Sequence, residues 1–367
     1  VKTIRSTTCS LKFASQEKRD LVRIVIAEYS RLVNLFIDRF WKDVPEKRIT
    51  KIKIDSWLSA GLKREAANEA IYMIKATKNA AKSLKCEYSK PKHSGKSIRL
   101  RDMNQFAELQ FPEETTYFDY WLHLKSIGDG LIFDLPIKSH KHFKNLQKRG
   151  RMNQACLLSP DKVQFSFEIE TGTKREEGRA IGIDLGINHF LATSEGELLG
   201  DIKPIIEKML RKRPGSKGRR GQAIHLRNEM NRTIKSLPSE AKTLYVERLK
   251  GISSGTKQRR VQKRTRCLIG SWNQGYALSR IQRFCEDNRV AFRSVSPYQT
   301  SITCSACGKA DKKNRVGDVF RCSCSHREHA DINAAKNILQ RGEAAAARFS
   351  IAMVDAAPKK HIGENSK

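Results

Sequence analysis

The sequence predicts a multidomain α/β protein: a β-rich front half with a helical segment set into it, then an α/β back half ending in a cysteine-bearing hairpin and a helix. Three observations lead there. Two long stretches with apolar residues at spacings of three and four lie between strand-like segments in residues 1–172. After a polar break at 171–178, strands and helices alternate. Near the end, two pairs of cysteines precede the run Asp-Ile-Asn-Ala-Ala at 331–335.

Residues 1–13 alternate as a strand does, with Ile4, Leu11 and Phe13 as its apolar members. From Ser15 to Trp41, Leu21, Val25, Tyr29, Leu32, Phe36 and Phe40 recur at helical spacing, with Ser15 placed to cap the helix and Glu17 in its first turn. A second helical block runs from about Ile54 to Cys86 and gathers Ala67, Ala70, Ile71, Ile74, Ala81 and Leu84 on one face. Its other face carries Asn68, Tyr72, Lys75, Asn79 and Lys82, which suit plain solvation and also contact with nucleic acid. Residues 90–95 break the pattern, and 97–172 read as strands, most clearly at 131–137 and 163–169. A helical block bracketed by strands suggests an insertion into a β-barrel-like domain. Lys141, Lys144, Lys148, Arg149 and Arg151 lie on a connection between two of these strands.

In the back half, 179–187 is a strand and 190–199 its hairpin partner. Residues 205–237 form a basic helical region, 243–247 a strand, 253–266 a basic loop, 272–288 a helix and 290–295 a further strand. A helix over 331–339 closes the domain, and the tail beyond Gly342 is expected to fray.

The 367 residues carry a formal net charge of +32. Half of it falls between Lys203 and Arg266, where 20 Lys and Arg face 4 Asp and Glu. A polyanionic partner explains such clustering, because each neutralised phosphate releases counterions. Two basic arms stand out: Arg211, Arg213, Arg219 and Arg220 around Pro214 and Gly215, and Arg259, Arg260 and Arg264 after the 243–247 strand. Runs like these are often only solvated, yet they also suit phosphate contacts that position nucleic acid without reading it. An anionic membrane surface is the rival partner, but no apolar run approaches the ~18 residues of a spanning helix. Nine cysteines, an odd number, with no signal-like opening lead to the expectation of a reducing cytoplasm.

Cys304-x2-Cys307 and Cys322-x-Cys324 suggest tetrahedral Zn²⁺ held by thiolates in a structural role. The second pair is tight, so His326 or His329 could replace one thiolate, or the metal could be lost. Three carboxylates complete the set. Asp184 interrupts an apolar strand, Glu247 ends Leu-Tyr-Val-Glu, and Asp331 opens a helix. Singly they could be a turn Asp, an edge Glu and a residue favoured by the helix dipole. Converging, they can hold two Mg²⁺ ions for phosphodiester hydrolysis, one activating water and one steadying the leaving oxygen.

Gly182-Ile-Asp-Leu-Gly, Tyr245-Val-Glu-Arg-Leu, Gln299-Thr-Ser-Ile-Thr-Cys-Ser-Ala-Cys-Gly and Ala330-Asp-Ile-Asn-Ala-Ala-Lys-Asn-Ile resemble, in this order, the RuvC-type core of the TnpB family. These are RNA-guided DNA endonucleases of insertion sequences, similar to the smallest type V CRISPR effectors. The resemblance implies an RNase H-like RuvC core with an inserted zinc-ribbon hairpin. A β-barrel wedge domain interrupted by a helical recognition domain would precede it. The implied layout is wedge at 1–14 and 93–176, recognition domain at 15–92, nuclease core at 177–300 and 329–341, zinc insert at 301–328 and tail at 342–367. Asp184, Glu247 and Asp331 would be catalytic, with Asn333, Ala334 and Ala335 packing the last helix on the sheet. The implied partners are a guide RNA from the transposon end and target double-stranded DNA beside a short motif, in a prokaryotic cytoplasm, with no membrane and no small-molecule substrate. The chain departs from the family at the second cysteine pair, which has one intervening residue instead of two, and at Ser325, where glycine is usual. A guide-dependent binding protein that does not cut, and a guide-free nuclease for branched DNA, are the alternatives. Three buried acids weigh against the first, and the long basic front half against the second.

Overall fold

A computed structural model describes residues 2–51, 53–84, 87–111, 117–248 and 263–355. They divide into two compact units, Val1–Glu170 and Thr171–Lys367.

In the first unit, β1 (Lys2–Ser10), β2 (Ile98–Leu100), β6 (Gly150–Ser159) and β7 (Lys162–Glu170) form one antiparallel sheet, ordered β1-β7-β6-β2. A second sheet holds β3 (Ala107–Gln110), β4 (Tyr120–Leu124) and β5 (Phe133–Ile137). Hydrogen bonding thus divides the expected barrel into sheets of four and three strands among the described residues. Strand β7 alternates strictly, burying Val163, Phe165, Phe167 and Ile169, as a strand with one covered face must. It fixes β1 from Lys2↔Glu170 to Ser10↔Lys162. That register turns Arg5, Thr7 and Cys9 inward and leaves Ile4 56% exposed.

Helix α1 (Gln16–Phe40) starts where expected, with the Ser15 hydroxyl accepting from the Lys18 N–H at 3.3 Å. It packs on α2 (Ala60–Leu84), and fully buried Val33, Phe36, Ala66 and Ala70 belong to the shared core. Each large apolar side chain buried here contributes roughly 1.5–3 kcal/mol. The one-turn α3 (Met103–Phe106) precedes β3, and α4 (Lys141–Arg149) links β5 to β6, so the basic connection is helical.

In the second unit, a five-stranded sheet is ordered β10-β9-β8-β11-β12. Its members are β8 (Ala180–Leu185), β9 (Leu191–Thr193), β10 (Leu198–Leu199), β11 (Thr243–Glu247) and β12 (Ala291–Val295). Strand β11 runs parallel to both β8 and β12, while β9 folds back on β8 as its hairpin partner. The basic helical region is two helices, α5 (Lys203–Leu210) and α6 (Lys217–Lys235). The turn between them holds Gly215 at φ 78°, and Ser216 caps α6. Helices α7 (Lys263–Ser271) and α8 (Gln274–Asp287) lead to β12, and the small sheet β13 (Arg315–Val316), β14 (Val319–Arg321) and β15 (Arg327–His329) precedes α9 (Ala330–Asp355). Helix α9 runs well past Gly342, correcting the frayed tail to that point. The run Glu-Ala-Ala-Ala-Ala-Arg that follows is among the strongest helix formers. No helix among the described residues is long and apolar enough to cross a membrane.

Candidate active site and cysteine centre

Strand geometry brings the first two acids together. Val246 pairs with Ile183 in the parallel ladder, so one residue further on Asp184 and Glu247 stand side by side at the carboxyl ends of their strands. Ligand sites in parallel sheets gather at this end. Ile181 and Ile183 point into the core, which puts Gly182 and Asp184 on the opposite face, under α9. A side chain at 182 would have its Cβ 2.1 Å from the Ala335 carbonyl oxygen. Glycine there lets α9 lie directly on β8 and brings Asp331, in the helix's first turn, to the two strand acids.

The three carboxylates line one open cavity of about 360 Å³ with Gly186, Asn188, Pro297, Thr300, Ser301 and Arg315. Burial, then the neighbouring charges of Glu247 and Asp331, push the Asp184 carboxyl up to about 8, against the pull of Arg315. Burial also raises Glu247, while the Thr300 hydroxyl, which donates to Glu247 Oε1, holds it back. Arg315 donates from Nη2 to Asp331 Oδ1 at 2.8 Å. An all-oxygen donor set short of positive charge suits a hard divalent cation. Asp184, Glu247 and Asp331 line the cavity that could receive it, while the ligand atoms that lie within 4.8 Å of one another there belong to Asp318, His329 and Asp331.

Arg315 and Thr300 went unnoticed in the sequence. Thr300 had a signal, since it belongs to the motif leading into the first cysteine pair. Arg315 had none, being one cation among many, and only the fold of the small sheet delivers it to the acids.

The cysteine hairpin is fastened to the same helix. Asn333 is fully buried. Its amide donates to the Thr303 carbonyl at 2.8 Å and accepts the Ser305 N–H at 2.9 Å, on either side of Cys304. Asn337 donates to the carbonyls of Thr300 (2.9 Å) and Thr303 (2.7 Å). Helix α9 therefore holds the segment that orients Glu247 as well as carrying Asp331.

The sulfurs of Cys304, Cys307, Cys322 and Cys324 all lie within 4.8 Å of one another. The Cys304–Cys324 and Cys307–Cys322 distances are 3.7 and 3.6 Å. A tetrahedron with Zn–S bonds of about 2.3 Å has edges of about 3.8 Å, so four thiolates fit this ion. The histidines are engaged elsewhere. His326 Nε2 lies 3.4 Å from the Ser305 hydroxyl and 3.5 Å from Glu328 Oε2, and His329 Nδ1 accepts the Asp331 N–H at 3.2 Å. The short second pair closes through a tight turn. Ser325 donates its N–H to the Cys322 carbonyl at 3.0 Å and adopts φ 69°. That is the left-handed region, which costs a non-glycine residue about 1–2 kcal/mol. Ser325→Gly is therefore expected to tighten zinc by about 5-fold or more, measured by competition with a chromophoric chelator. Unchanged affinity would show that the turn carries no strain into the site.

The residues proposed for nucleic-acid contact are spread over several segments of the two units. On α2, Tyr72 (64% exposed) and Lys75 line a groove with Glu46, Lys47, Arg48 and Arg101, and Asn79 is exposed. Lys75 donates to the Glu46 carbonyl at 3.1 Å, and Asn68 is committed to the Ile49 backbone. On α4, Lys144 pairs with Asp119 at 2.9 Å, while Lys148 and Arg149 are exposed. In the second unit Arg211, Arg213 and Arg220 are exposed, and Arg219 donates to the Lys212 carbonyl at 3.2 Å. Arg259 and Arg260 lie outside the described residues, and Arg264 falls in the first turn of α7.

Residues 275–338 match the family model described as Cas12f1-like, TNB domain. A stretch of 55 residues, 14% of the chain, is 40% identical to the CRISPR-associated endodeoxyribonuclease Cas12f1 of Sulfoacidibacillus thermotolerans. Another of 113 residues, 30% of the chain, is 28% identical to the putative transposase R186 of Acanthamoeba polyphaga mimivirus. The chain spans only 13% and 23% of the lengths of these two relatives. Over 88% of its length it shares the fold of Cas12f1 in the Cas12f1-sgRNA-target DNA complex, at a TM-score of 0.54 and 14% identity, covering 83% of that chain. The chain is thus similar to Cas12f1 in its cysteine-bearing segment and in its fold. Its fold also matches the mini-RNA-guided endonuclease CRISPR-Cas_phi3, at a TM-score of 0.53 and 11% identity over 93% of this chain and 92% of that one. The segment matched to the TNB model contains the cysteine hairpin, Arg315 and Asp331. Asp184 and Glu247 lie outside it.

Proposed function

We propose that the chain is an RNA-guided DNA endonuclease. It takes a guide RNA from the transposon end, binds double-stranded DNA beside a short target-adjacent motif and hydrolyses phosphodiester bonds at Asp184, Glu247 and Asp331. The convergence of two acids at the carboxyl ends of parallel strands with a third from the first turn of α9 carries the reading, because a charge-deficient oxygen site has little use except to bind cations. The relatives named for RNA-guided nucleases, and the +32 charge, support the guide and DNA as partners.

On this reading Asp184, Glu247 and Asp331 would hold two Mg²⁺ ions, which would supply an activated water and a stabilised leaving oxygen. The chain's own residues position the rest. Thr300 fixes the Glu247 carboxylate, and Arg315 sets a guanidinium beside Asp331 where a phosphate would approach. Zn²⁺ on the four cysteines is structural, since four thiolates leave no open position. The front half, with a wedge at 1–14 and 93–176 and a recognition domain at 15–92, holds guide and target. Residues 177–300 and 329–341 form the RuvC-type core, with the zinc insert at 301–328. Its cysteines suit a reducing prokaryotic cytoplasm.

The test is to express the chain with its flanking locus and sequence the RNA that co-purifies. One defined RNA scaffold with a variable end, and cleavage restricted to DNA matching that end, are expected. Full activity of RNA-free protein on unmatched duplex DNA would overturn guide dependence.

A further inference from the structure

We infer that Tyr298 is a stacking platform for an unpaired nucleobase beside the scissile phosphate, an inference that rests on the nuclease reading above. Tyr298 is 70% exposed and its ring makes no aromatic contact among the described residues. A lone exposed aromatic is ordinary on a protein surface. This one differs in where it stands and how firmly it is held.

Pro297 before it, and Thr300 and Ser301 after it, line the cavity that holds the three carboxylates and Arg315. The turn itself is fastened from several sides. Arg341 donates to the carbonyls of Ser296, at 3.4 Å, and of Tyr298. The Gln299 carbonyl accepts the N–H groups of Ile302 and Thr303 at 3.2 and 3.1 Å and the Thr303 hydroxyl at 2.7 Å. The Thr300 hydroxyl lies 3.3 Å from the Pro297 carbonyl while it serves Glu247. Gln299 sits at φ 56°, a left-handed conformation that residues with side chains seldom adopt. Such outliers persist where the surroundings over-determine the backbone, and they cluster at functional sites.

A rigid backbone that projects an aromatic ring into solvent at the mouth of an acidic, cation-binding cavity suits a flat, apolar ligand face next to a phosphate. A nucleobase has that shape. Because every base has a π face, stacking tolerates any sequence, which fits a protein whose sequence choice is made elsewhere. A base inside a duplex is already stacked on both sides, so the ligand is an unpaired nucleotide.

The test uses the full-length protein in Mg²⁺-free buffer without chelator, so that the cysteine centre keeps its metal, with a short single-stranded DNA carrying 2-aminopurine at successive positions. Quenching at one position is expected with wild type, and Y298A should lose it and bind about 10-fold more weakly. Tyr298→Phe and Tyr298→Trp should retain both, and all three variants should keep the wild-type melting temperature because the ring is exposed. Unchanged quenching and affinity in Y298A would overturn the platform, as would a wild type that quenches nowhere. Loss of quenching in Y298A, in a protein that never cuts DNA, would uphold the platform and remove the nuclease reading instead.

Discussion

Asp184→Asn is expected to reduce DNA cleavage by at least about a thousandfold while making the Mg²⁺-free protein more stable at neutral pH. The loss of activity follows from the geometry. Asp184 shares its cavity with Glu247 and Asp331, and on the proposed function removing its charge takes a ligand from any cation the three share, several kcal/mol of transition-state stabilisation. The gain in stability follows from the sign of the pKa shift. The folded protein holds the Asp184 proton more tightly than the unfolded chain, with the carboxyl pushed up to about 8 from an ordinary 3.8. This acid therefore opposes folding least below about pH 4 and increasingly as pH rises through 8. Asparagine removes that cost. Allowing for solvent screening at a half-buried group, the gain at pH 7–8 is about 1–3 kcal/mol. Melting temperatures in Mg²⁺-free buffer without chelator, which leaves the cysteine centre loaded, between pH 5 and 9 test this. Wild type should lose stability across the range relative to the variant, and added Mg²⁺ should close the gap. Parallel profiles would mean that Asp184 carries no electrostatic strain.

The sequence made this candidate site legible through the three acids taken together, since each alone had an ordinary reading. A carboxylate inside Ala-Ile-Gly-Ile-Asp-Leu is costly unless it has a partner, whereas the close approach of α9 at Gly182 emerged only from the fold. The long helices α1 and α2 were legible for the usual reason, a sustained apolar stripe. Strand phase was not. Ile4 and Leu11 differ in parity and so assigned no face to β1; pairing with β7 decides it, and that is a long-range contact that local pattern does not encode. The break between α5 and α6 was written in Pro214 and Gly215, yet the basic run around them read as one helical region.

Surface function was the least legible. A cation contributes to a pattern by charge alone, and the sequence does not say which cations are already spent. Lys144 on Asp119, Lys75 on the Glu46 carbonyl and Arg219 on the Lys212 carbonyl all serve partners within the protein. Arg315 is the converse case, an unremarked arginine that the fold delivers to the acids. The short cysteine pair falls between these extremes. Its spacing raised doubt about the fourth ligand, and the doubt concerned a turn, where Ser325 adopts the conformation that glycine normally supplies.

Cys304→Ser is expected to unfold the cysteine hairpin and, through it, to weaken cation binding at the carboxylates by about 10-fold. A structural Zn²⁺ contributes roughly 10–16 kcal/mol to the folding of a small domain, far more than the hairpin's own apolar contacts, which centre on Phe320, Cys304 and Ala330. Losing one thiolate should release the ion and free residues 303–324. The effect should then travel along a short path. Thr303 and Ser305 are bonded to Asn333, Thr300 and Thr303 are bonded to Asn337, and Thr300 orients Glu247. Arg315 would leave Asp331 with the hairpin that carries it. Two of the three acids would thus lose a fixed neighbour, while Asp184, held by β8, would not. Hydrogen exchange should show protection lost over 300–329 and kept in β8 and β11. Mn²⁺ titration followed by electron paramagnetic resonance should report the weaker binding. An unfolded hairpin with unchanged Mn²⁺ affinity would cut the proposed path at Thr300, and the carboxylate site would then be a property of the five-stranded sheet and α9 alone.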